Sequence, residues 1–210
     1  MLSPIPKIQS LTPSRRAVLL ALTACGAMLK PGHADAAPTV GRVNAASGTA
    51  DLARAAAKIE ASAGAPVLLD DLAETGEASR LDLSIGEATR IRLGAKTALR
   101  INRFVPGVAA ILKLEDGPIL VDHGPHAERN FEIQSVYGLI ATRGTSFFAG
   151  PSKGVFGVFV REGAVIVKAA GKRVRLEAGM GTDISAPGAP PTSPKAWGQP
   201  RIEAALQSVQ

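Results

Sequence analysis

Polar and apolar residues alternate along most of this chain. Leu81-Asp82-Leu83-Ser84-Ile85 and Arg90-Ile91-Arg92-Leu93 put an apolar side chain at every second position, the period at which a pleated strand buries one face and wets the other. Similar runs are Ala110-Ile111-Leu112-Lys113-Leu114, Ile119-Leu120-Val121, Val155 to Val160 and Ala164-Val165-Ile166-Val167. Glu115-Asp116-Gly117 and Arg161-Glu162-Gly163 stand between such runs, where glycine supplies the positive φ of a tight turn. The pattern predicts an all-β body from Val40 to about Ser185: an antiparallel-rich β-sandwich, a jelly roll or a short β-solenoid of many short strands. Two stretches depart from it. Ala50 to Ala63 is alanine-rich and reads as either helix or strand between Gly48 and Gly64. Residues 186–210 begin with a Pro-rich segment and read as a stiff, poorly ordered tail with few buried contacts, ending in a short helix over Ile202 to Val209.

The first 36 residues carry a different pattern. Lys7, Arg15 and Arg16 precede the apolar stretch Ala17 to Leu29, and the small-residue site Ala34-Asp35-Ala36 follows. That is the charged, apolar and cleavage layout of an export signal, Sec-like or, given the paired arginines, Tat-like. Leu22-Thr23-Ala24-Cys25 also resembles a lipobox. Cleavage after Ala36, lipidation of Cys25 and an uncleaved anchor are therefore three alternatives, and all three leave residues 40–185 in the periplasm.

Charge changes little once this segment is set aside. The chain has 24 Lys and Arg against 18 Asp and Glu. Lys7, Arg15, Arg16, Lys30 and Asp35 fall in the first 36 residues, which leaves 20 against 17. So small an excess, with few aromatics for stacking, argues against nucleic acid as a partner. Cys25 is the sole cysteine, so the body has no disulfide and no thiolate metal cage. No run after residue 36 is long and apolar enough to span a membrane. Membrane contact is expected only through an uncleaved or lipidated N-terminus, and no phosphate-cradling glycine motif implies a cofactor.

A set of ordered motifs resembles the FecR domain family. It opens with Gly41-Arg42-Val43 and Gly64-Ala65-Pro66-Val67, continues through Ser79-Arg80-Leu81-Asp82-Leu83 and Leu114-Glu115-Asp116-Gly117, and is densest over Tyr137-Gly138-Leu139-Ile140-Ala141-Thr142-Arg143-Gly144-Thr145-Ser146-Phe147. Val158-Phe159-Val160-Arg161-Glu162-Gly163 and Val174-Arg175-Leu176-Glu177-Ala178-Gly179 close it. The resemblance implies an all-β periplasmic domain. It also implies kinship with membrane-spanning regulators that link an outer-membrane iron transporter to an extracytoplasmic sigma factor. This chain reads as a stand-alone domain, without the cytoplasmic anti-sigma segment or the larger C-terminal extension of those regulators.

Candidate sites are few. Arg143, Gly144 and Thr145 form a cluster in which an arginine beside a flexible glycine could offer a fork to a carboxylate or sugar. In its structural reading, Gly144 makes a bend or bulge and Arg143 pairs with a nearby carboxylate. Arg90 and Arg92, with Arg173 and Arg175, fall on the wet faces of predicted strands; they read as solvated surface or as a basic patch for an envelope protein or anionic polymer. Asp122, His123, His126 and Glu128 superficially resemble a metal site, but a Gly-Pro turn does not aim both rings. Asp82-Leu83-Ser84-Ile85-Gly86 lacks the first glycine of a nucleophile elbow, and the Asp70-Asp71 and Glu115-Asp116 pairs lie at predicted turns. The expected function is a non-catalytic binding or signalling module of the cell envelope. Its rivals are an anchored regulator in a sigma-factor pathway and a periplasmic hydrolase.

Overall fold

The structure, a computed structural model, describes residues 37–54 and 57–210. The expected export signal, with Cys25 and Ala36, lies outside the described residues. The strands in chain order are β1 (Thr39–Ser47), β2 (Ala50–Arg54), β3 (Ala57–Glu60), β4 (Pro66–Leu68), β5 (Leu72–Thr75) and β6 (Arg80–Ile85). Next come β7 (Thr89–Leu93), β8 (Ala98–Val105), β9 (Ala109–Asp116), β10 (Ile119–His123), β11 (Asn130–Ser135) and β12 (Gly138–Thr142). The last are β13 (Thr145–Ser152), β14 (Val155–Glu162), β15 (Ala164–Ala169), β16 (Lys172–Glu177), β17 (Met180–Ile184) and β18 (Lys195–Ala196), followed by the helix α1 (Gln199–Gln207).

These strands form two nine-stranded sheets that grow together along the chain. The first sheet runs β4-β1-β6-β7-β10-β13-β14-β17-β18 and the second β3-β2-β5-β8-β9-β11-β12-β15-β16. The chain passes between sheets after every one or two strands, which gives the architecture a solenoid character within a sandwich. Neighbouring strands are antiparallel except β9 and β11, which pair in parallel. The exception follows from the path: β10 is a single strand in the first sheet, so the chain returns to the second sheet in its original direction.

The alternation of the sequence is the alternation of the faces. Leu83 and Ile91 on the first sheet and Leu112, Ile133 and Val167 on the second point inward to one core, while Asp82, Arg92, Lys113 and Lys168 point outward. The ambiguous stretch from Ala50 resolves as strand: β2 pairs with both β3 and β5 and buries Leu52.

The C-terminal segment is not the loosely attached tail the Pro-rich composition suggests. Thr182 donates its hydroxyl to the Thr192 carbonyl at 2.8 Å, which holds the segment to β17. Trp197 stacks on Phe159 at 5.2 Å, and with Ala205 and Val209 it closes a second apolar cluster over Leu120 and Phe148. The reason lies in the first sheet, because Ile119-Leu120-Val121 and Phe147-Phe148 have no polar alternate and bury both faces. Something must cover the outer one, and residues 192–209 do so. Arg201 anchors the cover. Its guanidinium lies 3.6 Å from the centre of the Trp197 ring and donates to Asp183 Oδ1 at 2.6 Å.

Candidate functional site

The Arg143-Gly144-Thr145 segment is a corner. β12 ends in the second sheet at Thr142 and β13 begins in the first at Thr145, so the chain changes sheets in two residues. Gly144 makes this crossing at φ +63°, and a Cβ there would meet only Pro125 Cα, at 3.8 Å. Its conformation rather than its space therefore calls for glycine. The Thr142 hydroxyl donates to the Ala164 carbonyl at 3.3 Å, which leaves its oxygen to accept from the Thr145 hydroxyl. Arg143 is exposed and makes no ion pair among the described residues, contrary to the pairing that its structural reading supposed.

On the outer face of the first sheet the corner borders a polar groove of about 450 Å³. Cross-strand registration sets Ser84, Arg90, Asp122, Ser146 and Glu162 in one row over its floor. Arg90 Nε donates to both oxygens of Asp82 at 2.9 Å, and Asn44 Nδ2 donates to Asp82 Oδ1 at 2.9 Å. Asp122 accepts from Ser146 Oγ at 2.6 Å and from Arg92 Nη2. Burial opposes the charge on Asp82, but the bonds and charges of Arg90, Asn44 and Arg92 outweigh it and hold the carboxyl below its ordinary range.

Beneath the groove His123 is buried, 3% exposed, at the end of β10 rather than on a loop. Its Nε2 lies 3.0 Å from the Glu128 carbonyl, which can only accept, so Nε2 carries the proton. Nδ1, 2.9 Å from Thr89 Oγ1, then accepts the threonine proton. Burial pulls the imidazole pKa below its usual value, against the raising effects of the Glu128 carbonyl and carboxylate, and the ring is held neutral. His126 is exposed and lines a separate cavity of about 960 Å³ with Arg42, Phe104 and Glu128. The two rings thus do not converge, and among the described residues no three metal-ligating side chains meet.

The four arginines expected to form one basic patch are separated. Arg90 and Arg92 lie on β7 in the first sheet, neutralised by Asp82 and Asp122. Arg173 and Arg175 lie on β16, the edge of the second sheet, where Arg175 approaches Glu177 at 3.6 Å. The sequence separation of the two pairs hides their assignment to opposite faces of the sandwich. The sequence names Asp82 and Asp122 for other chemistry, does not pair them with Arg90 and Arg92, and does not single out Asn44. The available signal was an aspartate inside a strand run, as in Leu81-Asp82-Leu83 and Val121-Asp122-His123, which needs a partner because Asp is a poor strand former.

The FecR protein family model matches residues 71–166, from the residue before β5 into β15. Two crystal structures of a proposed anti-sigma factor from Parabacteroides distasonis superpose with a TM-score of 0.55 at 16% identity, covering 65% of this chain. The chain spans 64% of the length of each. No curated protein matches it.

Proposed function

We propose that the protein, whose residues 71–166 match the FecR protein family model, is an exported, non-catalytic binding and signalling module of the bacterial periplasm that engages another cell-envelope component. The family match carries the reading. The groove is consistent with it: both nitrogens of His123 are engaged, and Asp82 and Asp122 are tied to arginine and serine. The Thr89 hydroxyl and the His123 imidazole are paired but buried, 2% and 3% exposed, and the arrangement as a whole fixes a surface. Export is supported by the charged, apolar and small-residue order of residues 1–36.

A second reading is an anchored regulator in a sigma-factor pathway responding to iron or envelope state. The likeness to the proposed anti-sigma factor favours it. Mass spectrometry of the N-terminus in fractionated cells tests both readings. A soluble periplasmic chain starting at Ala37 is the expected result. A membrane-bound chain lipidated at Cys25, or one retaining its apolar stretch, favours the anchored form, and a cytoplasmic chain with residues 1–36 intact overturns export.

A further inference from the structure

The two outer faces of the sandwich differ in how their charges are used. On the first sheet the groove arginines are paired and α1 covers part of the face. On the second sheet the outward residues of the strands from β8 to β16 are half-buried or exposed. Registration there sets two rows side by side. One is Arg100, Lys113, Gln134, Leu139, Lys168 and Arg173; the other is Arg103, Ile111, Glu132, Ala141, Ile166 and Arg175. The first row holds four cations and no anion. Arg143, at the corner, lines a shallow concavity with Ile166 and Arg175 and extends the same face.

Seven cations therefore meet four carboxylates on this face: Glu115, Asp116, Glu132 and Glu177. Glu115 is shared by Arg100 and Lys113 at 3.3 and 3.5 Å, and Glu177 lies near Arg175. Arg103, Arg143, Lys168 and Arg173 make no ion pair among the described residues. The cations gather at the two ends of a face about 24 Å across, six strands at about 4.8 Å each interval. Between the ends lie half-buried Ile111, Leu139 and Ile166.

We infer that this face docks the acidic surface of a partner protein. Charge sign alone would also admit a phosphate surface. Glu132 at the centre, however, would repel a continuous layer of phosphates, whereas a protein surface can set discrete carboxylates over the two cationic ends. Three of the four unpaired cations are arginines, whose forks take carboxylates in bidentate geometry. The half-buried aliphatic residues between them supply the apolar centre that such interfaces share. Neither cationic end contains Arg90 or Arg92.

The inference rests on the binding-module reading, which cell fractionation tests separately. The experiment here uses the full chain and labelled oligoglutamate as probe, followed by fluorescence anisotropy at low and high salt. Wild type is expected to bind oligoglutamate, and Lys168→Glu with Arg173→Glu to weaken it about tenfold or more, one order of magnitude being 1.4 kcal/mol. Lys168→Gln with Arg173→Gln should weaken it less, a graded result that unfolding would not give. A control of equal charge change away from this face, Lys153→Glu in the β13–β14 turn with Arg161→Glu on β14, should leave it within about threefold. Equal loss in the control overturns the inference, as does absence of oligoglutamate binding by wild type. Tighter binding to phosphatidylglycerol vesicles or single-stranded DNA through the same two residues also overturns it.

Discussion

Gly144 and Arg143 are adjacent and answer to different physics. At φ +63° Gly144 occupies backbone space that a β-branched residue enters only under strain, although a Cβ there meets no clash. Gly144→Val is expected to destabilise the fold by about 1 to 3 kcal/mol, an effect of conformation rather than of packing. Arg143 is exposed and without an ion pair, so Arg143→Ala is expected to stay within about 0.5 kcal/mol of wild type. Urea melts of both variants check the pair. An unchanged Gly144→Val would remove the corner as the reason for glycine, and a marked loss in Arg143→Ala would mean that the side chain supports the fold instead of facing a partner.

Among the elements, β18 and α1 show how an apolar run in a strand fixes what packs elsewhere. Leu120, Phe148 and Phe159 are buried only because Trp197, Ala205 and Val209 cover them. Gly157 and Gly181 give the indole room: a Cβ on Gly157 would come within 2.8 Å of the Trp197 ring. Removing residues 187–210 is expected to lower the melting temperature sharply and to expose an apolar patch that binds a hydrophobic dye. Arg201→Met is a milder probe. It leaves Asp183 with Lys195 at 2.8 Å as its one remaining ion-pair partner among the described residues, and the loss is expected to be about 2 kcal/mol. A truncated chain that melts like wild type, with no added dye binding, would mean that the cover contributes nothing.

For the whole molecule, stability depends on how many protons the folded and unfolded chains bind. His123 has a folded pKa below its ordinary 6.5, lowered chiefly by burial, so the unfolded chain binds more protons between the two values. Stability is therefore lost as pH falls through the ordinary histidine range, until the folded ring also protonates. Burial opposes ionisation of Asp183, but the bonds and charges of Arg201 and Lys195 prevail and its carboxyl also titrates low, as does that of Asp82. Their contribution is present above the ordinary carboxyl value of 3.8 and is lost as pH falls through their depressed folded values. Two successive losses are expected on acidification, and His123→Gln should remove the one near neutrality and keep the acid one. Chemical melts across the pH range check this, and an unaltered profile in the variant would assign the first loss to another group.

Strand periodicity, turn glycines and the corner at Gly144 were legible in the sequence because each depends on a residue and its immediate neighbours. A period of two dictates which side chains share a face, and Gly144 between two strand runs marks a break in the ladder. The sequence by itself thereby determined the all-β body and its inward-facing residues. It could not say to which sheet a strand belongs, because that depends on how often the chain crosses between sheets. Only the tertiary structure separated Arg90 and Arg92 from Arg173 and Arg175 and paired the former with Asp82 and Asp122. It alone brought Arg103, 70 residues before Arg173, onto the same face. The Pro-rich segment was misread for the same reason, since composition reports what a segment can bury by itself. Trp197 and Arg201 are held by Phe159 and Asp183, partners that a local reading of the tail does not include.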